Sequence, residues 1–201
     1  MSDHNTPSEC KRAQIIEAAV AEFQDNGFAN ASMDRISARA SVSKRTLYKH
    51  FESKENLFRS IVVELSDRFA GMQDIQYVSG RDIRQQLLEL AWAEGRILLR
   101  PDVMAMARMI ISETLRNPKL AEEAQGKLDK TATFIRMLKD ADSDGQLSVG
   151  DPEAAGQEFI GLIKAKAFWP MLFTGSVVSE KEMSQIVESA VDMMMSRYSK
   201  I

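Results

Sequence analysis

The segment Lys44 to His50 concentrates hydrogen-bond donors on one predicted helix. Leu47 and part of the Tyr48 side chain fill the inward positions of that helix. The outward positions carry Lys44, Arg45, Thr46, Lys49 and His50. A helix fits the major groove of B-DNA, where Arg and Lys reach guanine acceptors and Thr reaches base edges or a thymine methyl group. The segment therefore predicts contacts with base edges.

Phosphate contacts are predicted beside this segment, because a phosphate needs only a positive charge or a hydrogen-bond donor. Lys49 and the hydroxyl group of Tyr48 are two candidates. Lys54 is a third, since it lies in the first turn of the next predicted helix, where the helix dipole favours an anion. The alternative for Lys54 is a solvated side chain paired with Glu52 or Glu55.

Charge is distributed unevenly along the chain. The protein has 201 residues and a formal net charge of -3. The window from Arg35 to Lys54 holds six basic residues and one acidic residue, Glu52, which gives the window +5 and leaves -8 for the rest of the chain. This distribution indicates a local surface for an anionic partner, not a protein that is coated in nucleic acid.

The elements that position these side chains form a predicted helix-turn-helix. Helical periodicity predicts helices over residues 10–26, 33–40 and 44–50, and Ser32 and Ser43 are placed to cap the second and the third. The segment 41–43 interrupts the pattern between two short helices, which is typical of a helix-turn-helix. A plain helical hairpin is the alternative on periodicity alone. We include Ser32 and Ser43 in the predicted DNA-binding set.

The rest of the chain also shows helical periodicity, and no useful length of β-like alternation is found, so the predicted fold class is all-α. Ser53 can cap a fourth helix, and further helices are predicted over residues 81–99, 101–116, 118–139, 152–173 and 180–198. Pro170 should end or kink the segment 152–173. We predict a tail and DNA-binding domain over residues 1–56, and a second helical domain over residues 57–201.

The order of residues from 33 to 58, MDRISARASVSKRTLYKHFESKENLF, resembles the DNA-binding signature of the TetR (tetracycline repressor) family. The matching positions are Ile36, Ala40, Val42, Ser43, Thr46, Leu47, Tyr48, Phe51, Ser53, Lys54 and Glu55. The resemblance implies that the outward residues of segment 44–50, with Tyr48, lie in or beside a DNA groove. Ser41 departs from the pattern, which usually has glycine in the turn, so this serine requires a different φ or some strain.

Two later segments, at residues 106–123 and 156–173, look like the C-terminal domain of a proteobacterial subgroup of that family that includes repressors of efflux pumps. This resemblance implies that residues 57–201 form an effector-binding and dimerisation domain. The expected protein is a transcriptional regulator, a repressor that a small apolar effector releases from a palindromic double-stranded DNA operator.

Dimerisation is also expected on physical grounds, because one helix-turn-helix reads only a half-site. The last two predicted helices carry the predicted interface, which consists of Phe159, Ile163, Phe168, Ile186, Val187, Ala190 and Met194. Aromatic and flexible residues of the middle helices could line an effector cavity, since methionine adapts to varied shapes. These are Trp92, Met104, Met106, Met109 and Phe134. For both sets, packing in the core of the subunit is the alternative.

Other classes of protein find little support in the sequence. His4 and His50 are the only histidines and have no evident partners, and no nucleophile elbow, glycine-rich phosphate loop or zinc-ligand spacing is found. We therefore predict no enzyme, no cofactor and no resident metal. The loop 140–151 matches several positions of a calcium-binding EF-hand, but Asp151 stands where glutamate is usual, so a plain acidic loop is favoured and calcium binding is the alternative.

A membrane location is not expected either. No apolar stretch is long enough to span a bilayer, and the polar start of the chain lacks the apolar core of a signal peptide. We therefore expect a cytoplasmic protein with no membrane partner.

Overall fold

A computed structural model describes residues 6–69, 74–128 and 130–200. Its helices are α1 (Pro7–Asn30), α2 (Met33–Arg39), α3 (Lys44–His50), α4 (Lys54–Arg68), α5 (Ile83–Leu98), α6 (Pro101–Thr114), α7 (Pro118–Leu128), α8 (Thr131–Ser143), α9 (Pro152–Lys166), α10 (Phe168–Thr174) and α11 (Glu180–Tyr198). These residues contain no β-strand, only an isolated bridge between Leu147 and Ser199. The predicted all-α class is confirmed.

The chain forms two compact units. The first contains residues up to Ser66 together with Ala105–Leu128, and the second contains Asp67–Met104 and the residues from 129 onward. The boundaries of these compact units differ from the predicted functional boundary after residue 56, and that functional division stays a prediction. Within the described ranges, no helix is long and apolar enough to cross a membrane.

Helix α1 begins at a capping box and bends near its end. Thr6 accepts a hydrogen bond from the Glu9 backbone N–H, and the Glu9 carboxylate accepts one from the Thr6 N–H at 2.6 Å. Gly27 has a φ of 71° and a ψ of 159°, a conformation that a side chain disfavours, so it bends the helix before a final turn that ends at Asn30. The predicted helix ended at residue 26, so the turn after Gly27 was not predicted.

The α2–α3 connection has the hydrogen-bond pattern of a Schellman motif. The Val42 N–H donates to the Ser37 carbonyl at 3.0 Å, and the Ser41 N–H donates to the Ala38 carbonyl at 3.1 Å. Ser41 occupies the left-handed position of this motif, with a φ of 53°. The serine therefore adopts the conformation that glycine would favour, at some cost in strain.

An apolar core joins α1, α2, α3 and α4 within the first unit. Ile36 of α2 and Leu47 of α3 are fully buried. Phe28 links α1 to α4, since its ring centroid lies 5.3 Å from that of Phe23 and 5.7 Å from that of Phe58. Burial of a side chain of this size stabilises the fold by about 1.5 to 3 kcal/mol relative to full exposure. Because α3 would have to expose Leu47 in order to rotate, the core fixes the orientation of this helix.

The core of the second unit lies between α5, α8, α9 and α11. The rings of Phe134 on α8 and Phe159 on α9 meet edge to face, with centroids 5.2 Å apart. Gly156 lets the two helices approach closely, because a Cβ atom at this position would lie 2.5 Å from Ile135 Cγ1 and 2.9 Å from the Ile135 backbone nitrogen.

Two predicted helices are interrupted in the structure. The predicted helix 118–139 divides into α7 and α8, because the backbone of Lys130 has a φ of -112° and a ψ of 8°, outside the helical range. The predicted helix 152–173 divides at Ala167, three residues before Pro170. Pro170 cannot donate a hydrogen bond to the Lys166 carbonyl and its ring crowds that group, so the break precedes the proline.

The acidic loop between α8 and α9 uses its carboxylates as acceptors for protein donors. Asp142 accepts from the Val149 N–H at 2.9 Å, and Asp151 caps α9 by accepting from the Ala154 N–H at 3.1 Å. Asp144 accepts from the hydroxyl groups of Tyr77 and Ser79, which lower the pKa of its carboxyl. The described residues contain no group of three or more His, Cys, Asp or Glu side chains that could hold a metal ion.

Candidate nucleic-acid interface

The outward face of α3 presents Arg45, Tyr48 and Lys49. Tyr48 and Lys49 follow Arg45 by three and four positions, so the three residues share one face of the helix. All three are exposed. Within the part of the chain that the structure describes, neither Arg45 nor Lys49 forms a hydrogen bond or an ion pair through its side chain. Leu47 anchors the opposite face in the core. The helix thus holds two uncompensated cations and a phenol toward solvent.

The other predicted residues of α3 contact neighbouring residues within the protein, at the start and at the end of the helix. Ser43 caps the helix by accepting from the Thr46 N–H at 3.1 Å, and the two hydroxyl oxygens lie 2.8 Å apart. Lys44 forms an ion pair with Asp34 at 2.7 Å, but both side chains are more than half exposed, so the pair contributes little. His50 is half-buried beside the ring of Phe51.

Helix α2 is fixed against α1 by ion pairs. Arg35 donates to the buried carboxylate of Glu22 at 2.6 Å and to the Asn30 carbonyl at 2.5 Å. Arg39 pairs with Asp25, also at 2.6 Å. Ser32 caps α2 by accepting from the Asp34 N–H at 3.2 Å, so its hydroxyl group already has a structural partner.

Lys54 is directed toward the end of α1. Its ammonium group donates to the carbonyl oxygens of Ala29 at 3.1 Å and Ala31 at 3.2 Å, and it lies 4.7 Å from the centroid of the Phe28 ring. Neither Glu52 nor Glu55 is among these partners, so the sequence did not anticipate this arrangement. Any phosphate contact of Lys54 would share the ammonium group with these acceptors.

Two family models match the chain. Residues 15–61 match bacterial regulatory proteins of the tetR family, and residues 85–200 match the C-terminal domain of AefR-like transcriptional repressors. The chain belongs to the TetR family. It is therefore a DNA-binding transcriptional regulator, as the signature at residues 33–58 predicted. The narrower prediction of an efflux-pump subgroup stays a prediction.

Individual proteins support this assignment. The chain is 28% identical over 158 residues to the HTH-type transcriptional regulator UidR of Escherichia coli K12. This alignment covers 74% of each protein. A TetR-family regulator from Pseudomonas syringae pv. tomato has a similar structure, with a TM-score of 0.84, 37% identity and coverage of 95% of this chain and 97% of that one. The flavonoid-responsive regulator FrrA aligns with a TM-score of 0.70 and 27% identity over 94% of this chain and 97% of that one.

The predicted effector residues of this TetR-family protein are dispersed. Trp92, Met104 and Phe134 belong to the second compact unit, whereas Met106 and Met109 belong to the first. All except the half-buried Trp92 are buried. None of the five lines any of three surface cavities with volumes of about 540, 340 and 370 Å³. The structure therefore gives these residues packing roles, and their part in effector binding stays a prediction.

Most of the predicted dimer residues are buried in the core of the second unit. Five of the seven are buried in the subunit itself, namely Phe159, Ile163, Val187, Ala190 and Met194. Phe168 and Ile186 are half-buried. The large exposed apolar side chains on the same helices are Trp169, Phe173 and Met193, which were not among the predicted interface residues. The pattern of apolar residues identified these helices but did not separate their inner faces from their outer faces.

Glu94 on α5 was not among the predicted functional residues. Its side chain is fully buried in the second unit, and neither carboxylate oxygen has a hydrogen-bond partner within residues 6–69, 74–128 and 130–200. A signal was present, because Glu94 continues the buried stripe of Leu87, Leu90 and Ala91 at helical spacing. A charged residue on such a stripe is an exception that indicates either a partner or a function.

Proposed function

We propose that this TetR-family regulator is a repressor whose homodimer occupies a near-palindromic operator and leaves it when a small molecule binds the second unit. The observation that carries the proposal is the outward face of α3, where Arg45, Tyr48 and Lys49 are exposed and the two cations are uncompensated. Arg45 would read a guanine edge, while Lys49 and Tyr48 would contact phosphates. The predicted DNA contacts of Ser32, Ser43, Lys44, Thr46 and His50 would orient the helix, while Lys54 would hold the end of α1 through Ala29 and Ala31.

The homodimer follows from the geometry of DNA recognition. Two copies of α3 would enter successive major grooves, whose centres are about 34 to 36 Å apart. The outer faces of α9 and α11 supply the proposed interface. They line a groove of about 370 Å³ that includes Leu162, Ala165 and Met193, with Glu158, Lys166 and Arg197 as charged residues. An isologous interface would place these faces against their symmetry equivalents.

The effector part of the proposal rests on thermodynamic linkage. A ligand releases the operator only if it binds the DNA-free conformation more tightly than the DNA-bound one. A coupling free energy of about 1 to 3 kcal/mol is typical of such regulation. The similarity to FrrA, which is flavonoid-responsive, and to the AefR-like repressors supports this mode of control.

The test is selection of bound fragments from genomic DNA, followed by binding of the best fragment and a scrambled duplex at two salt concentrations. We expect an inverted repeat that is bound far more tightly than the scrambled duplex. The Arg45→Ala variant should lose specific affinity by about 1 to 3 kcal/mol and random-sequence affinity much less. Arg96→Ala, which removes an exposed arginine from α5, is the matched control and should change neither.

Two results would contradict the proposal. If no fragment is enriched and binding is weak and fully salt-sensitive, the basic window is a nonspecific surface. If Arg45→Ala and the control variant lose equal affinity for the selected fragment, α3 does not read the bases.

A further inference from the structure

Glu94 holds a carboxylate that the protein does not satisfy. The residue is 0% exposed, and its two oxygens are the buried side-chain acceptors without a hydrogen-bond partner among the described residues. It shares the buried stripe of Leu87, Leu90 and Ala91, which belong to the apolar cluster of α5, α8, α9 and α11. A carboxylate in such a place is strongly disfavoured unless a hydrogen-bond donor or a cation compensates it.

Lys164 compensates Glu94 only in part. Its ammonium nitrogen lies 4.0 Å from Glu94 Oε1, beyond the 2.7 to 3.2 Å range of an N–H···O hydrogen bond, and its side chain is 32% exposed. The lysine therefore remains partly in water while the carboxylate is dry. Burial raises the pKa of Glu94, and the positive charge of Lys164 opposes that rise.

The apolar cluster that packs against α5 is rich in methionine. The neighbouring residue on α5, Gly95, faces α11, where a Cβ atom would lie 3.1 Å from Met183 Sδ. The same cluster contains the buried side chains of Met104, Met137, Met171, Met183 and Met194. Methionine side chains repack around varied shapes more easily than branched ones do. A molecule that reaches Glu94 would require these side chains to repack around it.

We propose that Glu94 is the polar anchor of the effector site and that the effector is an organic cation with N–H donors on an apolar body, such as a protonated amine or an amidine. This inference rests on the proposed function and narrows its effector class from a simply apolar molecule. An ammonium group neutralises the carboxylate and donates to both oxygens. An alcohol would leave the charge uncompensated, an anion would be repelled, and a quaternary ammonium would leave both oxygens without donors.

The experiment compares amines with uncharged molecules of the same shape. Isothermal titration calorimetry at pH 7 measures binding of octylamine, benzylamine and 1-adamantanamine, each beside its alcohol, to the full chain without DNA. We expect at least one amine to bind about tenfold or more tightly than its alcohol. In Glu94→Gln this preference should fall to about twofold or less. Glu153→Gln, an acid-to-amide change at an exposed position of α9, should keep the preference.

A second variant tests the competing role of Lys164. If the lysine only partly occupies the carboxylate, Lys164→Met removes a competitor and should strengthen amine binding severalfold. If Lys164 is the functional partner of Glu94, the amines will show no preference over the alcohols in the unmodified protein. This result, or a preference that survives Glu94→Gln in a protein with unchanged helical circular dichroism, overturns the proposal.

Operator affinity, measured by fluorescence anisotropy in the absence of amines, separates this inference from the proposed function. Tight operator binding without amine preference overturns only the assignment of Glu94. Loss of specific DNA binding in the unmodified protein overturns the proposed function itself.

Discussion

Gly156 of α9 lies so close to the backbone of Ile135 on α8 that a Cβ atom would approach its nitrogen to 2.9 Å. Backbone cannot move aside as a side chain can, so Gly156→Ala must push the two helices apart. We expect a loss of about 2 to 4 kcal/mol in the free energy of unfolding, because overpacking disrupts the Phe134–Phe159 contact as well. Urea denaturation of the purified variant, at matched protein concentration, measures this loss.

Gly95→Ala is the matched control for this prediction. Its added Cβ atom would meet the Met183 side chain at 3.1 Å, and no backbone atom is among its three nearest neighbours. Methionine can change rotamer, and alanine favours the helix by about 1 kcal/mol, so the control should cost much less. An equal loss in the two variants would show that backbone proximity does not decide the effect.

Ser41 offers a stabilising substitution. With a φ of 53°, its backbone is in the left-handed region, which costs a non-glycine residue about 1 to 2 kcal/mol. Ser41→Gly removes this cost but adds freedom to the unfolded chain, so we expect a net gain of about 0.5 to 1 kcal/mol. Ser41→Ala keeps the strain and should give no gain. Thermal unfolding of both variants tests the expectation, and equal stability would contradict it.

Local signals predicted most helix starts, because the groups that cap a helix are close in sequence. Ser43 caps α3, and Ser179 forms a capping box with Glu182 at the start of α11, as a sequence pattern alone can indicate. The break at Lys130 has no proline and no side-chain cap, so nothing local indicated it. Such breaks depend on packing between distant segments.

The outward face of α3 could also be predicted, because a seven-residue helix with Leu47 inside leaves few choices for the remaining side chains. The partners of Lys54 could not, since Ala29 and Ala31 lie 25 and 23 positions away in sequence. Burial of Phe159 and Val187 in the subunit was likewise undetermined, because an apolar stripe has the same pattern in a core and at an interface.

The contacts of Lys54 predict an effect that differs from that of Lys49. Lys54→Met removes hydrogen bonds to two carbonyl groups and the contact with the Phe28 ring. The free energy of unfolding should therefore fall by about 1 to 3 kcal/mol. Lys49→Met should leave stability unchanged, because Lys49 is exposed. The slope of log K against log salt should fall by about 0.9 for each phosphate contact that Lys49 provides.

Urea denaturation and DNA binding at four salt concentrations measure both quantities for the two variants. We expect Lys54→Met to lower the free energy of unfolding and to leave the salt slope unchanged. We expect Lys49→Met to lower the salt slope and to leave the free energy of unfolding unchanged. A lower slope with unchanged stability for Lys54→Met would instead assign Lys54 to the phosphates.

Burial of Glu94 predicts a dependence of stability on pH. Its carboxyl has a pKa above the ordinary value of 4.5 in the folded chain. As pH rises past 4.5, the unfolded chain releases this proton first, so the folded chain binds more protons and its stability falls until the pH exceeds the raised pKa. Glu94→Gln lacks this titration, so its stability advantage over the unmodified protein should grow between the two pKa values. Urea denaturation from pH 4 to pH 8 measures the difference, and a difference that stays constant or shrinks with pH would show that the carboxylate is compensated in the fold.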